Sequence, residues 1–317
     1  MQHGHLSDPD DLPGAAHGVE HLLFLGTERF PDESDYKKYL AAHSGSSNAS
    51  TSASQTTFHF DVAPDALDGA VERHAQFFTK PLFDASCVER EINAVNSEMN
   101  RNLQLDNRRL YQLRKATASR APGAVFWKFG TGSKRTLWDL PTARGEDVRA
   151  RLMAWYHEHY SANLMRLAIV GQASLDELED MAVRHYSHIP NADMSAPWFD
   201  APQLGAGELQ VRLPCATATD ADILSQTVTY FRNIRDLSTL RLEFPQRDSR
   251  AEYRTKPASF LSHYVGHEGD GSLLSALKKR GWATALSSGV ERSAKGIEWY
   301  SVTVTLTPLG LSTCAAC

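Results

Sequence analysis

Residues 15–62, "AAHGVEHLLFLGTERFPDESDYKKYLAAHSGSSNASTSASQTTFHFDV", change their hydrophobic rhythm once, from helical to alternating. In "GAAHGVEHLLFLG" apolar residues recur at helical spacing between Gly14 and Gly26, which predicts a helix over about 14–25. "PDESDYKKYLAAHSG" has acids in its first turn and Gly45 just past its last, the pattern of a second helix. The Ser/Thr-rich run after it ends with Phe58 and Phe60 alternating and reads as a strand pair or long hairpin strand. Helical spacing returns through Leu67, Val71, His74 and Phe78. Helix, strand, helix in this order predicts an α+β fold.

From Ala85 to about Ala118 the chain has neither Pro nor Gly, and Ile92, Val95, Met99, Leu103, Leu110 and Leu113 recur near helical spacing, predicting one long helix. A glycine-bearing loop, "APGAVFWKFGTGSKRTL", leads to the helical "RGEDVRARLMAWYHEHY", the strand-like "LMRLAIVG" (164–171) and the helical "SLDELEDMAVRHYSHI". "HEHY" (157–160) and "HYSH" (185–188) are expected on solvated helix faces. Periodicity lapses in "PNADMSAPWFDAPQLGAGE", with its three prolines, so a domain boundary is expected near 190–207, dividing the chain into 1–200 and 201–317. The second part shows strands near "LQVRLP" (209–214) and "LSTLRLEF" (237–244), a helix near "SFLSHYVGHEGDGSLLSALKKRG" (259–281) and the strand "IEWYSVTVTLT" (297–307).

The 317 residues leave room for about two domains. A charged fraction of 22% with net charge −5 gives no basic footprint, so neither DNA nor RNA is expected as a partner. No run approaches the ~18 apolar residues of a membrane span. The start "MQHGHLSDPDDLPG" has no charged n-region or apolar h-region. A cytoplasmic location is expected, with the mitochondrion as alternative. Cys87, Cys215, Cys314 and Cys317 are too few and scattered for a disulfide framework, which fits a reducing compartment. The ending "CAAC" matches a prenylation box with Cys314 as acceptor, and also a C-x-x-C pair. Nothing upstream is polybasic, so no lipid anchor is expected.

On a helix, His17 and His21 stand at i and i+4, with Cβ atoms about 5–6 Å apart, near enough to share one metal ion. Zinc accepts such nitrogens and needs a third protein ligand; a catalytic site keeps a position open for water. Glu20 lies three residues from His17 and could take that water's proton. Two histidines on a partly buried helix face are the plainer reading, but H-x-x-E-H inverts the H-E-x-x-H of the common zinc proteases and is a zinc-peptidase signature of its own.

With "FLGT" and "GSSNA" following that motif in order, the opening resembles the insulysin and nardilysin branch of the pitrilysin-type (M16) metallopeptidases. The similarity continues through "EREINAVNSEMN", "KFGTG", "YSANLM", "VGHEGDGSLLSALKKRGW" and "VTVTLT". The resemblance implies an αβ domain with a mixed sheet and packed helices, followed by an incomplete homologous second domain. It supplies the third zinc ligand, Glu98, and assigns Glu91, two turns earlier on the same helix face, to supporting a ligand. Asn48 and Ala49 match edge-strand residues that bind substrate as an added strand, and Phe24 matches a residue of the neighbouring pocket. Ser50 and Arg108 stand where the family often has aromatics. His263 and His267 with Glu268 could form a second metal site but resemble an element that anchors a substrate's N-terminus, which continues to "ATALSSG" with Ser287 and Ser288.

The family's full-length members are clamshells of four homologous domains. The chain resembles the first and part of the second, and the resemblance implies that the sequence opens after the family's first strand and is expected to be without the half that supplies an Arg and a Tyr to the reacting carbonyl. "CATATDADILSQTVTYFRN" (215–233) is longer than is usual there, as an unspliced intron would make it. The expectation is a zinc metalloendopeptidase acting on oligopeptides through a metal-activated water. The alternative is a non-catalytic zinc- or peptide-binding fragment that pairs with a C-terminal half or a second copy before anything is cleaved.

Overall fold

The computed structural model describes residues 1–116, 124–195, 211–212, 226–227, 229–246, 248–294 and 296–315. The chain forms two compact units, one from Met1–Arg101 and Lys128–Trp198, the other from Asn102–Trp127 and Phe199–Cys317. Residues 102–127, placed in the first domain by sequence patterning, group with the second unit. The fold is α+β, with helices around small sheets.

In the first unit, α1 (Ala15–Leu22) and α2 (Asp35–Ala42) precede the antiparallel hairpin β1 (Ser46–Thr51) and β2 (Thr56–Asp61), registered so that Asn48 faces His59 and Thr51 faces Thr56. Then come α3 (Leu67–Gln76), α4 (Ala85–Asn102), a π turn over Arg135–Asp139 leading into α6 (Leu140–Ala143), α7 (Val148–His159) and α8 (Leu175–Tyr186); α5 (Asp106–Ala116) lies in the second unit. Local chemistry sets several starts. The Asp147 carboxylate accepts the Ala150 N–H, and Ser174 with Glu177 forms a capping box on α8. One face of α1 (Ala15, Ala16, Val19, Leu22) packs with Leu40, Phe77, Phe83, Val88, Ile92, Val95, Leu152 and Trp155. Burying each large apolar side chain stabilises by about 1.5–3 kcal/mol, so this core fixes α1 against α4 and α7.

The second unit holds α5, the short parallel pair β3 (Val211–Arg212) and β4 (Gln226–Thr227), and β5 (Thr239–Gln246), α9 (Pro257–Val265), α10 (Leu273–Lys279), β6 (Ala283–Ala294), β7 (Ile297–Leu306) and α11 (Pro308–Ala315). Its main sheet is antiparallel in the order β5-β7-β6. The central strand β7 is buried over most of its length, with Trp299 against Phe126 and Tyr300, Val302 and Val304 packing with Leu274 and Leu286. Among the described residues the strands pair in three small sheets.

Three further expectations differ. The long helix breaks at 103–105 into α4 and α5, where Leu103 is exposed and Asp106 turns its carboxylate to the backbone N–H groups of Ile234 and Arg235. Residues 164–171 form no strand. Leu164 accepts a backbone bond from Gln2, but Leu167 and Val170 are exposed, and a β-prone run becomes a strand only with a ladder partner. The single helix over 259–281 divides at Gly266–Gly271, where Gly271 has φ +81° and Ser272 caps α10. Nor are the later histidine clusters simply solvated: His159 stacks on Trp155, Tyr160 is buried, and Tyr186 bonds the buried His74.

No helix among the described residues is long and apolar enough to cross a membrane. Cys215, Cys317, residues 316–317 of the "CAAC" end, the strand expected at 209–210 and 213–214, most of the long stretch 215–233 and part of the 190–207 boundary lie outside the described residues.

Candidate metal centre

Helix α1 begins where Gly14 adopts φ +98°, and a Cβ there would stand 2.3 Å from the Gly132 Cα. Both glycines are needed for the "KFGTG" loop to lie against the helix start. The buried Asp8 carboxylate accepts the Gly14 N–H at 2.7 Å and the Ala16 N–H at 2.8 Å, a negative charge at the helix N-terminus where free N–H groups gather. Lys128 then donates to the Asp8 carbonyl at 2.6 Å.

This frame orients His17. Its Nδ1 donates to the Thr131 carbonyl at 2.7 Å, and because a carbonyl only accepts, the proton sits on Nδ1 and the Nε2 lone pair is left outward. One turn on, the His21 Nδ1 meets Glu91 Oε2 at 3.3 Å. The two rings lie edge to face, with centroids 4.8 Å apart.

Glu98 on α4 completes the group. Its Oε2 is 3.6 Å from His17 Nε2 and its Oε1 3.7 Å from His21 Nε2. Among the described residues, these three side chains form the set of donors close enough to hold a metal, within 4.8 Å of one another. Tetrahedral zinc ligands about 2.0–2.1 Å from the ion lie roughly 3.3 Å apart, near the 3.6 and 3.7 Å that separate Glu98 from the two Nε2 atoms. Two imidazole nitrogens and a carboxylate suit zinc, and the engaged Nδ1 atoms leave both Nε2 atoms available to it, so the donor set fits.

Glu20 projects beside this group and is 6% exposed. Burial pushes its carboxyl pKa up, against the Thr51 hydrogen bond and the charges of His17 and His21. Burial alone would lower the His21 pKa, but its hydrogen bond to the Glu91 carboxylate and the charges of Glu98 and Glu20 outweigh it and raise it. The His21 hydrogen bond holds Glu91 below the usual carboxylate range.

Asn48 and Ala49 lie mid-β1, and among the described residues β2 is the ladder partner of that strand. The Ala49 N–H donates to Asn48 Oδ1 at 2.9 Å. Phe24 packs on Phe77, Phe58 and Tyr36 and lines a shallow pocket with Phe30, Tyr36 and Arg73. Ser50 is exposed on β1, and Arg108 lies on α5 in the second unit. His263 and His267 have ring centroids 5.9 Å apart without a third donor among the described residues, and Ser288 donates to the Ser262 carbonyl. Asp8, Thr51 and the Thr131 carbonyl were not singled out from sequence. The first could be suspected as an acid ahead of a helix; the other two carry no signal.

The family model for insulinase (peptidase family M16) matches residues 1–122, and that for the peptidase M16 inactive domain matches residues 147–313. The insulin-degrading enzyme of Drosophila melanogaster is 42% identical over 311 residues, 98% of this chain and 30% of that protein. The insulin-degrading enzyme of Homo sapiens is 41% identical, covering 97% of this chain and 28% of its own length, and the A-factor-processing enzyme of Saccharomyces cerevisiae is 40% identical, covering 98% and 28%. The chain thus spans about three-tenths of these relatives. The crystal structure of pitrilysin superposes with a TM-score of 0.82 at 28% identity, over 99% of this chain and 31% of that one.

Proposed function

Because the chain belongs to the M16 (insulinase) peptidase family, we propose that it is a zinc-dependent endopeptidase, with the metal held by His17, His21 and Glu98 and with Glu20 as general base. The observation that carries this reading is the convergence of both Nε2 atoms on the Glu98 carboxylate while each Nδ1 is already engaged. Zinc bound there would supply Lewis acidity and bring the pKa of a water at its open position to about 7. Glu20, with a carboxyl pKa raised by burial, would accept a proton from attacking water and return it to the leaving amine. The edge of β1 would take a peptide as an added strand, the Ala49 N–H exchanging the Asn48 side chain for a substrate carbonyl, while Phe24 shapes the adjoining pocket. Relatives named for degrading insulin and for processing A-factor support oligopeptides as the substrate class. A cytoplasmic location, with the mitochondrion as alternative, is proposed from composition and is checked by cell fractionation.

The test is metal content joined to turnover. Purified protein should carry about one zinc per chain, lost in His17→Ala and in Glu98→Ala. Glu20→Gln should keep the zinc and lose ~10²–10⁴ in kcat. Equal zinc in the wild type and His17→Ala would remove the assignment.

The share of its relatives that the chain spans favours a second reading of the same site: zinc and peptide bind here, and turnover needs a C-terminal half or a second copy. A preorganised donor to the transition state is worth ~10²–10³ in rate, so one contributed by another polypeptide would be missed. A quenched fluorescent peptide distinguishes the two. Chelator-sensitive cleavage by the chain alone supports the first reading, and cleavage only after adding a relative's C-terminal half supports the second.

A further inference from the structure

Four side chains crowd the centre, yet a catalytic zinc site uses three protein ligands and an open position. The three-donor set omits Glu20, although Glu20 adjoins His21 in the chain and is itself buried. Something must hold this carboxylate off the metal. Thr51, the last residue of β1, donates from Oγ1 to Glu20 Oε2 at 2.5 Å. Cross-strand pairing sets Thr51 opposite Thr56, with their hydroxyl oxygens 3.3 Å apart. Thr56 is fully buried and donates to the His3 carbonyl at 2.9 Å. A hydroxyl has one proton. That of Thr56 is committed to His3, so toward Thr51 it can only accept, and at 3.3 Å it is a more distant acceptor for the Thr51 proton than Glu20 Oε2 at 2.5 Å.

The geometry points to Thr51 as a positioning residue: its hydroxyl fixes the Glu20 carboxylate for proton transfer, keeps it from closing the metal's open position, and ties it to the strand that carries Asn48 and Ala49. The Thr51 anchor of the base and the substrate edge at Asn48 then lie on one strand, three residues apart on β1. The inference rests on the zinc-site reading above, and its test reports separately on each.

The protein is loaded with cobalt(II) and its visible d–d absorption, which follows coordination number and geometry, is recorded for the wild type, Thr51→Ser, Thr51→Val and Thr51→Ala. Both variants lacking the hydroxyl should show altered bands as the released carboxylate reaches the metal. Thr51→Ser should match the wild type, and adding Glu20→Gln to Thr51→Val should restore the wild-type bands. With the quenched peptide, Thr51→Val should lose 10–100-fold in kcat with KM little changed, again rescued by Ser, as for other residues that orient a metal site from outside it. Wild-type bands in both Thr51→Val and Thr51→Ala would overturn the proposal even with the zinc site intact. Failure of the wild type to take up cobalt would overturn the zinc site and this inference with it.

Discussion

At the scale of single residues, the site is a set of charges that need one another. Without metal, His21 carries a raised pKa and Glu91 a lowered one, two sides of the hydrogen bond between them. The histidine's contribution is fully present below its ordinary value of 6.5 and is lost as pH rises through its raised folded value; the glutamate's is present above its ordinary 4.5 and is lost as pH falls through its depressed one. The pair therefore stabilises the metal-free protein most between about pH 4.5 and 6.5. Melting curves with chelator, taken against pH for the wild type and Glu91→Gln, should differ most in that window and converge on both sides. A difference independent of pH would assign Glu91 to packing instead. The i, i+4 histidines were legible in sequence because helical geometry alone places them together. Their partners were not: the Thr131 carbonyl lies 114 residues from His17, and a backbone oxygen has no letter of its own.

At the scale of elements, what matters is how α1 is held at its start. Asp8 takes the N–H groups of Gly14 and Ala16, and its side chain is buried. Asp8→Ala should cost about 3 kcal/mol, two buried donors being left unpaired at roughly 1–3 kcal/mol each, and zinc affinity should fall with it because His17 sits one residue past Ala16. Denaturant unfolding and zinc titration check both; loss of stability with unchanged zinc affinity would separate the cap from the site. Helix-bearing segments were readable because their apolar spacing and caps are local. The break between α4 and α5 was not, since Leu103 and Leu110 preserve the period across a turn that Asp106 stabilises through residues 128 and 129 positions away. The strand expected at 164–171 failed for the complementary reason: its composition suits a sheet, but pairing is a property of two segments.

At the scale of the whole molecule, every proposed zinc ligand, the base and the Glu91 support lie in the first compact unit, within residues 1–101. Folding of that unit and metal binding are therefore linked, whereas the β5-β7-β6 sheet has its own core of Leu274, Leu286, Tyr300, Val302 and Val304 and supplies none of the three donors. A ligand that binds the native state alone stabilises by RT ln(1 + [L]/Kd), about 2.7 kcal/mol at a hundredfold excess over Kd. Zinc should accordingly slow amide exchange through local openings of α1 and α4 by up to about a hundredfold at that excess, and leave exchange in β6 and β7 close to its chelated rate. Peptide-resolved hydrogen exchange with zinc and with chelator reads this directly. Equal protection of both units would mean that they unfold as one cooperative body, and protection confined to β6 and β7 would move the metal site out of the first unit altogether.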